Sequence, residues 1–348
     1  MVIERLHPAA HLPQAFRPML SGAIRCESQL ESLLLPRTTY LASPKIDGIR
    51  VLILPNAPVG EELVTRSLLP VRNKRLQASI SALTAQHPEL IGCDGEIVVG
   101  RATTQNATRQ NIFNATTRAV MAVHTDMQYT YTLWLFDKFY AYNQSNFHLL
   151  PYAERLQVLR ESLRHVPENQ TANPQELVST PVNTLEDLLK CEREYLARGF
   201  EGIMLRHPDK PYKFGRSAVT GTQQHLMKFK RCEDADAIII RCHEMYHNEN
   251  EAQKDALGLT ERSAKKEGLK PAGTLGHLEV KVLNGPFKGA VIGIGTGFDA
   301  AARDTIWRER EEVRGRIITF TYQAMGAMVA PRFPVFKGFR EDLYAKSA

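Results

Sequence analysis

The chain has 348 residues and a formal charge of +6, with 43% hydrophobic and 24% charged residues. That length points to two domains, and that composition supports a packed core and excludes wholesale disorder. No apolar run could span a membrane and the N-terminus lacks a secretory signal. The five scattered cysteines form no C-x-x-C pair, so a reducing, cytoplasmic compartment is expected.

In chain order, residues 39–44 and 49–55 read as strands around a turn at Asp47-Gly48, since a D-G pair is a hairpin signal. Residues 73–85 read as a helix, with Leu76, Ile80 and Leu83 recurring on one face. Residues 91–99 and 129–136 are rich in β-branched and aromatic side chains and read as strands. Residues 183–198 read as a helix: Thr184 is an N-cap with Asp187 three residues on, and Gly199 stands where a left-handed residue closes a helix. A short strand at 202–206 follows. Beyond Arg231 the texture changes. Residues 235–241, 275–283, 290–295 and 316–322 read as strands separated by glycine-containing turns, with one helix at 299–313. That is the pattern of an OB-type barrel. A polar, charged stretch at 245–273 lacks periodicity and reads as a functional insertion. The expected domains are residues 1–232 and 233–348.

Acids and bases balance over residues 233–348, so the net positive charge lies in the first domain. Residues 97–125 hold Arg101, Arg109 and Arg118 and no acid. Residues 202–232 hold Arg206, Lys210, Lys213, Arg216, Lys228, Lys230 and Arg231 against Asp209 alone. Such stretches suit a polyanion, because each cation near a phosphate releases condensed counterions; a solvated basic face carries the same signature.

The strongest local signal is Lys45-Ile-Asp47-Gly48-Ile-Arg50. A lysine beside a D-G turn is by itself a common hairpin tip. Its company says more: Asp94-Gly95-Glu96, Phe136-Asp137 at a strand end, Glu201-Gly202 opening a strand, and Lys228-Phe229-Lys230 with both ammonium groups on one side. This set suits a nucleoside triphosphate. Carboxylates hold Mg²⁺, lysines neutralise phosphates and an aromatic ring stacks on the base. Gly293-x-Gly295-x-Gly297 lacks the dinucleotide-binding spacing, and no G-x-x-x-x-G-K-[ST] occurs, which excludes a P-loop ATPase. His243 and His247 read as a surface pair, and Met121, Met325, Met328, Trp134 and Trp307 as packing residues.

In this order the series resembles the covalent nucleotidyltransferases, and among them the small viral and phage ATP-dependent DNA ligases. The resemblance runs from Pro18 to Arg340. It is carried by Ser43-Pro-Lys-Ile-Asp-Gly-Ile-Arg50, Gly199-Phe-Glu-Gly-Ile-Met-Leu-Arg206, Tyr212-Lys-Phe-Gly-Arg-Ser217, Gly293-Ile-Gly-Thr-Gly-Phe-Asp299 and Pro331-Arg-Phe-Pro-Val-Phe336. It implies an α+β fold: a nucleotidyltransferase (ATP-grasp-like adenylation) domain with antiparallel sheets, then a β-barrel OB-fold domain beyond a hinge near 231–236. It implies that Lys45 attacks the α-phosphorus of ATP, that AMP passes to the 5′-phosphate of a nick in duplex DNA, and that the 3′-hydroxyl displaces it.

The resemblance also assigns roles. Ser43 and Arg66 join the nucleotide site, Arg50 and Glu96 hold the ribose, and Phe136 stacks on adenine. Glu96 and Glu201 bind the metal, and Lys228 and Lys230 contact the α-phosphate. Arg66 and Arg216 receive the 5′-phosphate, Asp47 acts late near the 3′-hydroxyl, and Arg332 orients the leaving pyrophosphate. The implied cofactors are ATP and Mg²⁺, with Mn²⁺ as a substitute; the implied partner is nicked duplex DNA, bound by a monomer. The insertion at 246–272 falls where a viral member of the family has a DNA-clasping latch, with Lys254, Arg262, Lys265, Lys266 and Lys270 as its basic members. A free lysine is protonated at neutral pH, so Mg²⁺ and Lys228 or Lys230 are expected to lower the Lys45 pKa. Three alternatives stay open: an mRNA guanylyltransferase taking GTP, an RNA ligase, and an OB-type nucleic-acid-binding protein with a decayed catalytic domain.

Overall fold

The computed structural model describes residues 12, 16–24, 26–34, 38–100, 109–123, 129–142, 144, 146–168, 171–254, 260–263, 265–323 and 330–340. Arg101, Met325, Met328, most of the segment before Pro18 and the side chains of Arg109 and Lys254 lie outside the described residues. The chain divides into two compact units between Lys230 and Arg231.

Among the described residues the first unit holds twelve strands. They are β1 (Met19–Leu20), β2 (Gly22–Ile24), β3 (Tyr40–Pro44), β4 (Ile49–Ile53), β5 (Leu63–Thr65) and β6 (Cys93–Val99). There follow β7 (Tyr131–Lys138), β8 (Ala172–Glu176), β9 (Thr180–Val182), β10 (Ile203–Arg206), β11 (Gly215–Arg216) and β12 (Leu226–Phe229). Its α-helices are α1 (Glu27–Leu34), α2 (Lys74–Gln86), α3 (Arg109–Met121), α4 (Tyr152–Leu163) and α5 (Leu185–Ala197). One five-stranded sheet has the order β5-β4-β6-β7-β8, the other β2-β12-β10-β3-β9. Pairing is mainly antiparallel. The expected antiparallel sheets are present, with parallel pairing at β7–β8, β2–β12 and β1–β11.

Local chemistry explains the helix boundaries. The Asn73 side chain caps α2 by accepting from the Leu76 amide. Thr184 and Asp187 form a reciprocal capping box on α5, and Gly199 follows it at φ 92°, a left-handed conformation natural to glycine. The Asp47-Gly48 turn behaves otherwise. It is not a hairpin, since β3 pairs with β9 and β10 while β4 pairs with β5 and β6. Residues 45–48 instead cross from one sheet to the other.

Strand alternation then sorts the side chains. Ile49, Val51 and Ile53 of β4, Cys93 and Ile97 of β6, and Leu133 and Leu135 of β7 pack with α2 and α4 in one core. Tyr40 and Ala42 of β3, Ile203 and Leu205 of β10, and Met227 and Phe229 of β12 pack with α1 and α5 in another. The intervening positions, among them Arg50, Glu96, Phe136, Met204 and Lys228, face the opposite way, as a period of two demands.

The second unit contains β13 (Glu233–Asn248), β14 (Ala252–Lys254), β15 (Thr260–Arg262), β16 (Leu269–Val282), β17 (Val291–Ile294), β18 (Ile317–Gln323) and β19 (Arg332–Phe339). Two helices, α6 (Ala300–Arg308) and α7 (Arg310–Val313), replace the single helix expected at 299–313. The main sheet runs β17-β16-β13-β18-β19, all antiparallel. The barrel expectation is corrected: among the described residues the ladder does not close, and the two edge strands meet only through a bridge between Thr296 and Val335. Gly297 permits that approach, because a Cβ there would stand 2.3 Å from the Phe336 carbonyl oxygen. The stretch 245–273 is also more regular than its composition indicates. β13 and β16 extend into it and keep pairing as far as Asn248 and Leu269, and β14–β15 form a hairpin beyond.

Candidate active site

Lys45 sits where the chain leaves β3. Its backbone exchanges hydrogen bonds with the segment before β10, Lys45 N to Gly202 O at 2.9 Å and Glu201 N to Lys45 O at 3.0 Å. This continues the β3–β10 ladder and sets Lys45 beside Glu201. Gly202 allows the close approach of β12, since a Cβ there would stand 2.4 Å from the Phe229 carbonyl oxygen. The Lys45 ammonium pairs with one Glu201 carboxylate oxygen and the Lys230 ammonium with the other.

A cavity of about 330 Å³ opens between the two sheets, lined by Lys45, Arg50, Arg66, Glu96, Phe136, Arg216 and Lys228. Gly48 donates its amide to Glu96 Oε1 at 3.3 Å, and the register places Arg50 opposite Glu96. Arg66 and Arg216 are exposed, and Arg216 Nη1 donates to the Ser21 carbonyl at 3.1 Å. Phe136 is almost fully buried, with the Arg206 guanidinium carbon 4.5 Å from its ring centre. A ring with one face so backed offers a planar wall for a base.

The electrostatics are set by burial and by who pairs with whom. Burial pushes the Glu96 carboxyl up to about 7, although Lys45 and Arg50 pull against it. Burial also works against the Glu201 carboxylate, but Lys45 and Lys230 outweigh it and hold the group at about 2. For Lys45, burial favours the neutral amine, yet Glu201, Glu96 and Asp47 together raise its pKa above the ordinary value. The expectation that Lys228 or Lys230 would depress it is therefore corrected for the ligand-free protein: Lys230 is spent on Glu201. Lys228 itself is lowered, by burial first and then by Lys230, Lys45 and Arg216.

Not every expected residue converges. Ser43 is buried on β3 with no hydrogen-bond partner for its hydroxyl among the described residues, and it does not line the cavity. Asp47 stands outside the lining and acts on Lys45 through charge. Arg332, Lys265 and Lys266 belong to the second unit. Arg332 opens β19 with its guanidinium carbon 5.2 Å from the Phe333 ring centre, and Lys265 and Lys266 are exposed at the start of a short 3-10 turn. His243 is less solitary than a surface pair implies, stacking on His277 at 4.3 Å and meeting Glu279 at 2.9 Å.

Phe113, Met204 and Arg206 also line the cavity, and sequence reasoning missed them as site residues. The period of two within β10 would have found Met204 and Arg206, since their neighbours Ile203 and Leu205 are core residues. Phe113 lies on α3, where no element was anticipated. Asp94 and Tyr212 form a further layer behind Arg50.

A family model for the ATP dependent DNA ligase domain matches residues 18–230, and one for the DNA ligase OB-like domain matches residues 268–340. No curated protein matched the chain. Among solved structures, the Chlorella virus DNA ligase-adenylate is 29% identical, with 93% of this chain and 99% of that chain covered at a TM-score of 0.48. A Lig E DNA ligase is 22% identical, covering 92% and 98% at a TM-score of 0.57, and the protein titled Pmar-Lig_PreS3 is 19% identical, covering 93% and 68% at 0.62. The last two show a common fold. Because the ligase-domain model alone spans well over half of the 348 residues, the chain belongs to the ATP-dependent DNA ligases.

Proposed function

We infer that this ligase seals nicks in duplex DNA through a covalent AMP adduct on Lys45. The observation that carries this reading is the position of Lys45: at the crossover between two sheets, in a cavity that also presents Glu96, Phe136 and Lys228. An amine, a buried aromatic wall and flanking cations together match the three parts of ATP.

Lys45 supplies the nitrogen that bonds to the α-phosphorus as the bond to pyrophosphate breaks. To attack, it must lose the proton that Glu201 now stabilises. Phe136 stacks on the base, Arg50 and Glu96 meet the ribose, and Lys228 and Lys230 contact the α-phosphate. Ser43, buried on β3 two residues before Lys45, stays close to the site without lining the cavity. The adduct then passes AMP to a DNA 5′-phosphate held by Arg66 and Arg216. Asp47 serves the last step, in which the 3′-oxygen displaces AMP, and Arg332 serves the first by orienting pyrophosphate. Throughout, the protein positions groups and balances charge. Lys265 and Lys266 add grip on the duplex, and the enzyme acts as a monomer.

Among the described residues no group of three His, Cys, Asp or Glu side chains could hold a metal ion. The carboxylates of Glu201 and Glu96 nevertheless fit Mg²⁺, which takes one or two protein oxygens and completes its shell from phosphates and water. When bound, Mg²⁺ neutralises charge on the triphosphate. No helix of the described residues is long and apolar enough to cross a membrane.

The test needs no DNA. Wild type and Lys45→Ala are incubated with Mg²⁺ and either α-labelled ATP or α-labelled GTP, and acid-stable label on the chain is measured. Label from ATP alone, lost in the variant, is expected. Label from GTP alone would turn the reading to RNA capping, and no label on folded, unadenylylated protein would end it.

A further inference from the structure

The Arg50 side chain is almost completely occupied before any ligand arrives. Its Nε and Nη2 donate to the two oxygens of Asp94 at 2.9 and 2.5 Å, and its Nη1 donates to the Met19 carbonyl at 2.5 Å. Nη2 also reaches the Tyr212 hydroxyl at 3.4 Å. A guanidinium has five N–H groups, so among the described residues one on Nη1 is left, on a residue that lines the cavity. The positive charge is already matched by Asp94, which is fully buried. A single remaining donor with a neutralised charge suits a neutral acceptor such as a sugar hydroxyl better than a phosphate, which draws on full charge and bidentate geometry.

What holds this arrangement in place is Tyr212. Its hydroxyl donates to Asp94 Oδ2 at 2.6 Å and accepts from the Met19 amide at 3.2 Å and from Arg50 Nη2. That exhausts one donor and two lone pairs. Burial, with the Asp94 carboxylate beside it, pushes the hydroxyl well above its ordinary pKa, so it stays a donor. The ring is fixed independently, by Phe16 at 6.3 Å, Phe139 at 5.7 Å and Phe214 at 6.4 Å between centroids. The Arg155 guanidinium carbon lies 5.7 Å from the same ring, its own charge taken by Asp137. Tyr212 thus ties together three segments distant in sequence, at Met19, Arg50 and Asp94.

We propose that Tyr212 is a positioning residue for nucleotide selection: through Asp94 it aims the one uncommitted N–H of Arg50 at a ribose hydroxyl, and so makes the enzyme prefer ATP to its deoxy analogue. This rests on the functional reading above, and the ribose is the only part of the substrate it concerns.

Self-adenylylation is measured with α-labelled ATP, 2′-deoxy-ATP and 3′-deoxy-ATP for wild type and Tyr212→Phe. Wild type should favour ATP over the analogue lacking the hydroxyl that Arg50 holds. In Tyr212→Phe, KM for ATP should rise about five- to ten-fold, the worth of roughly one hydrogen bond, with kcat little changed. KM for that analogue should not move, so the discrimination collapses. In an Arg50→Lys background, Tyr212→Phe should have no further effect on discrimination. If Tyr212→Phe does not fold, Asp94→Asn carries the same test. Equal changes for ATP and both analogues, unchanged discrimination, or a wild type that does not discriminate would overturn the assignment while leaving the ligase reading intact. A wild type that takes no label at all would strike that reading first.

Discussion

Replacing Glu201 by glutamine removes a charge that two lysines share. The Glu201 carboxyl is held at about 2, against 4.5 for an unperturbed glutamate, and its side chain is only 4% exposed. At 1.36 kcal/mol per pKa unit, the ionised form contributes about 3 kcal/mol to the folded state. The folded-state pKa is depressed, so this stabilisation is present above 4.5 and disappears as pH falls toward 2. Glutamine keeps the shape and does not titrate. Urea unfolding of Glu201→Gln should therefore show a deficit of about 3 kcal/mol at pH 7, shrinking to about 2 kcal/mol at pH 3.5. A second readout follows from the other side of the pair. With Glu201 neutral, the burial that opposes the Lys45 charge is less contested, and Lys45 should react faster with an amine-directed acylating reagent at pH 7.5 even as ATP labelling falls. A stability deficit that does not change with pH, or a Lys45 no more reactive than in wild type, would refute the reasoning.

Glu96 has the opposite sign. Burial raises its pKa to about 7, so ionising it costs stability as pH climbs from 4.5 through 7. Glu96→Gln should unfold at higher urea than wild type at pH 8, with the advantage gone by pH 4, while ATP labelling declines; an equal midpoint at both pH values would contradict the assigned burial. For the exposed pair in the second unit, Lys265→Ala with Lys266→Ala should leave self-adenylylation unchanged. It should also flatten the salt dependence of nick binding by about two logarithmic units of slope, one per phosphate contact. An unaltered slope would remove these residues from the DNA interface.

Some of this architecture was legible because its physics is local. The capping box of Thr184 and Asp187 needs only residues three apart, and Gly199 needs only its own missing Cβ. The 76–80–83 apolar spacing needs only one helix face, and α2 lies where it indicates. Strand alternation, equally local, is what set Lys228 and Lys230 on one side of the chain from the sequence. The charged insertion misled for the complementary reason: composition reports solvent exposure, and a two-stranded extension of β13 and β16 exposes most of its side chains whether or not its backbone is paired.

The amino-acid order by itself determined which residues could do the chemistry: a lysine, carboxylates, an aromatic ring and a lysine pair, in a sequence of motifs that identifies the family. Only the tertiary structure decided how they are shared out. The D-G turn after Lys45 carries a hairpin signal, yet β3 takes its partner from β10, far along the chain, because the pairing of a strand depends on which apolar faces can be buried together. From that one choice follow the gap between the sheets, the cavity within it and the neighbour each charge receives. Lys230 pairs with Glu201, Asp94 and Tyr212 close around Arg50, and the Lys45 pKa moves up where sequence alone indicated down. A pKa is a property of surroundings, and surroundings are what folding supplies.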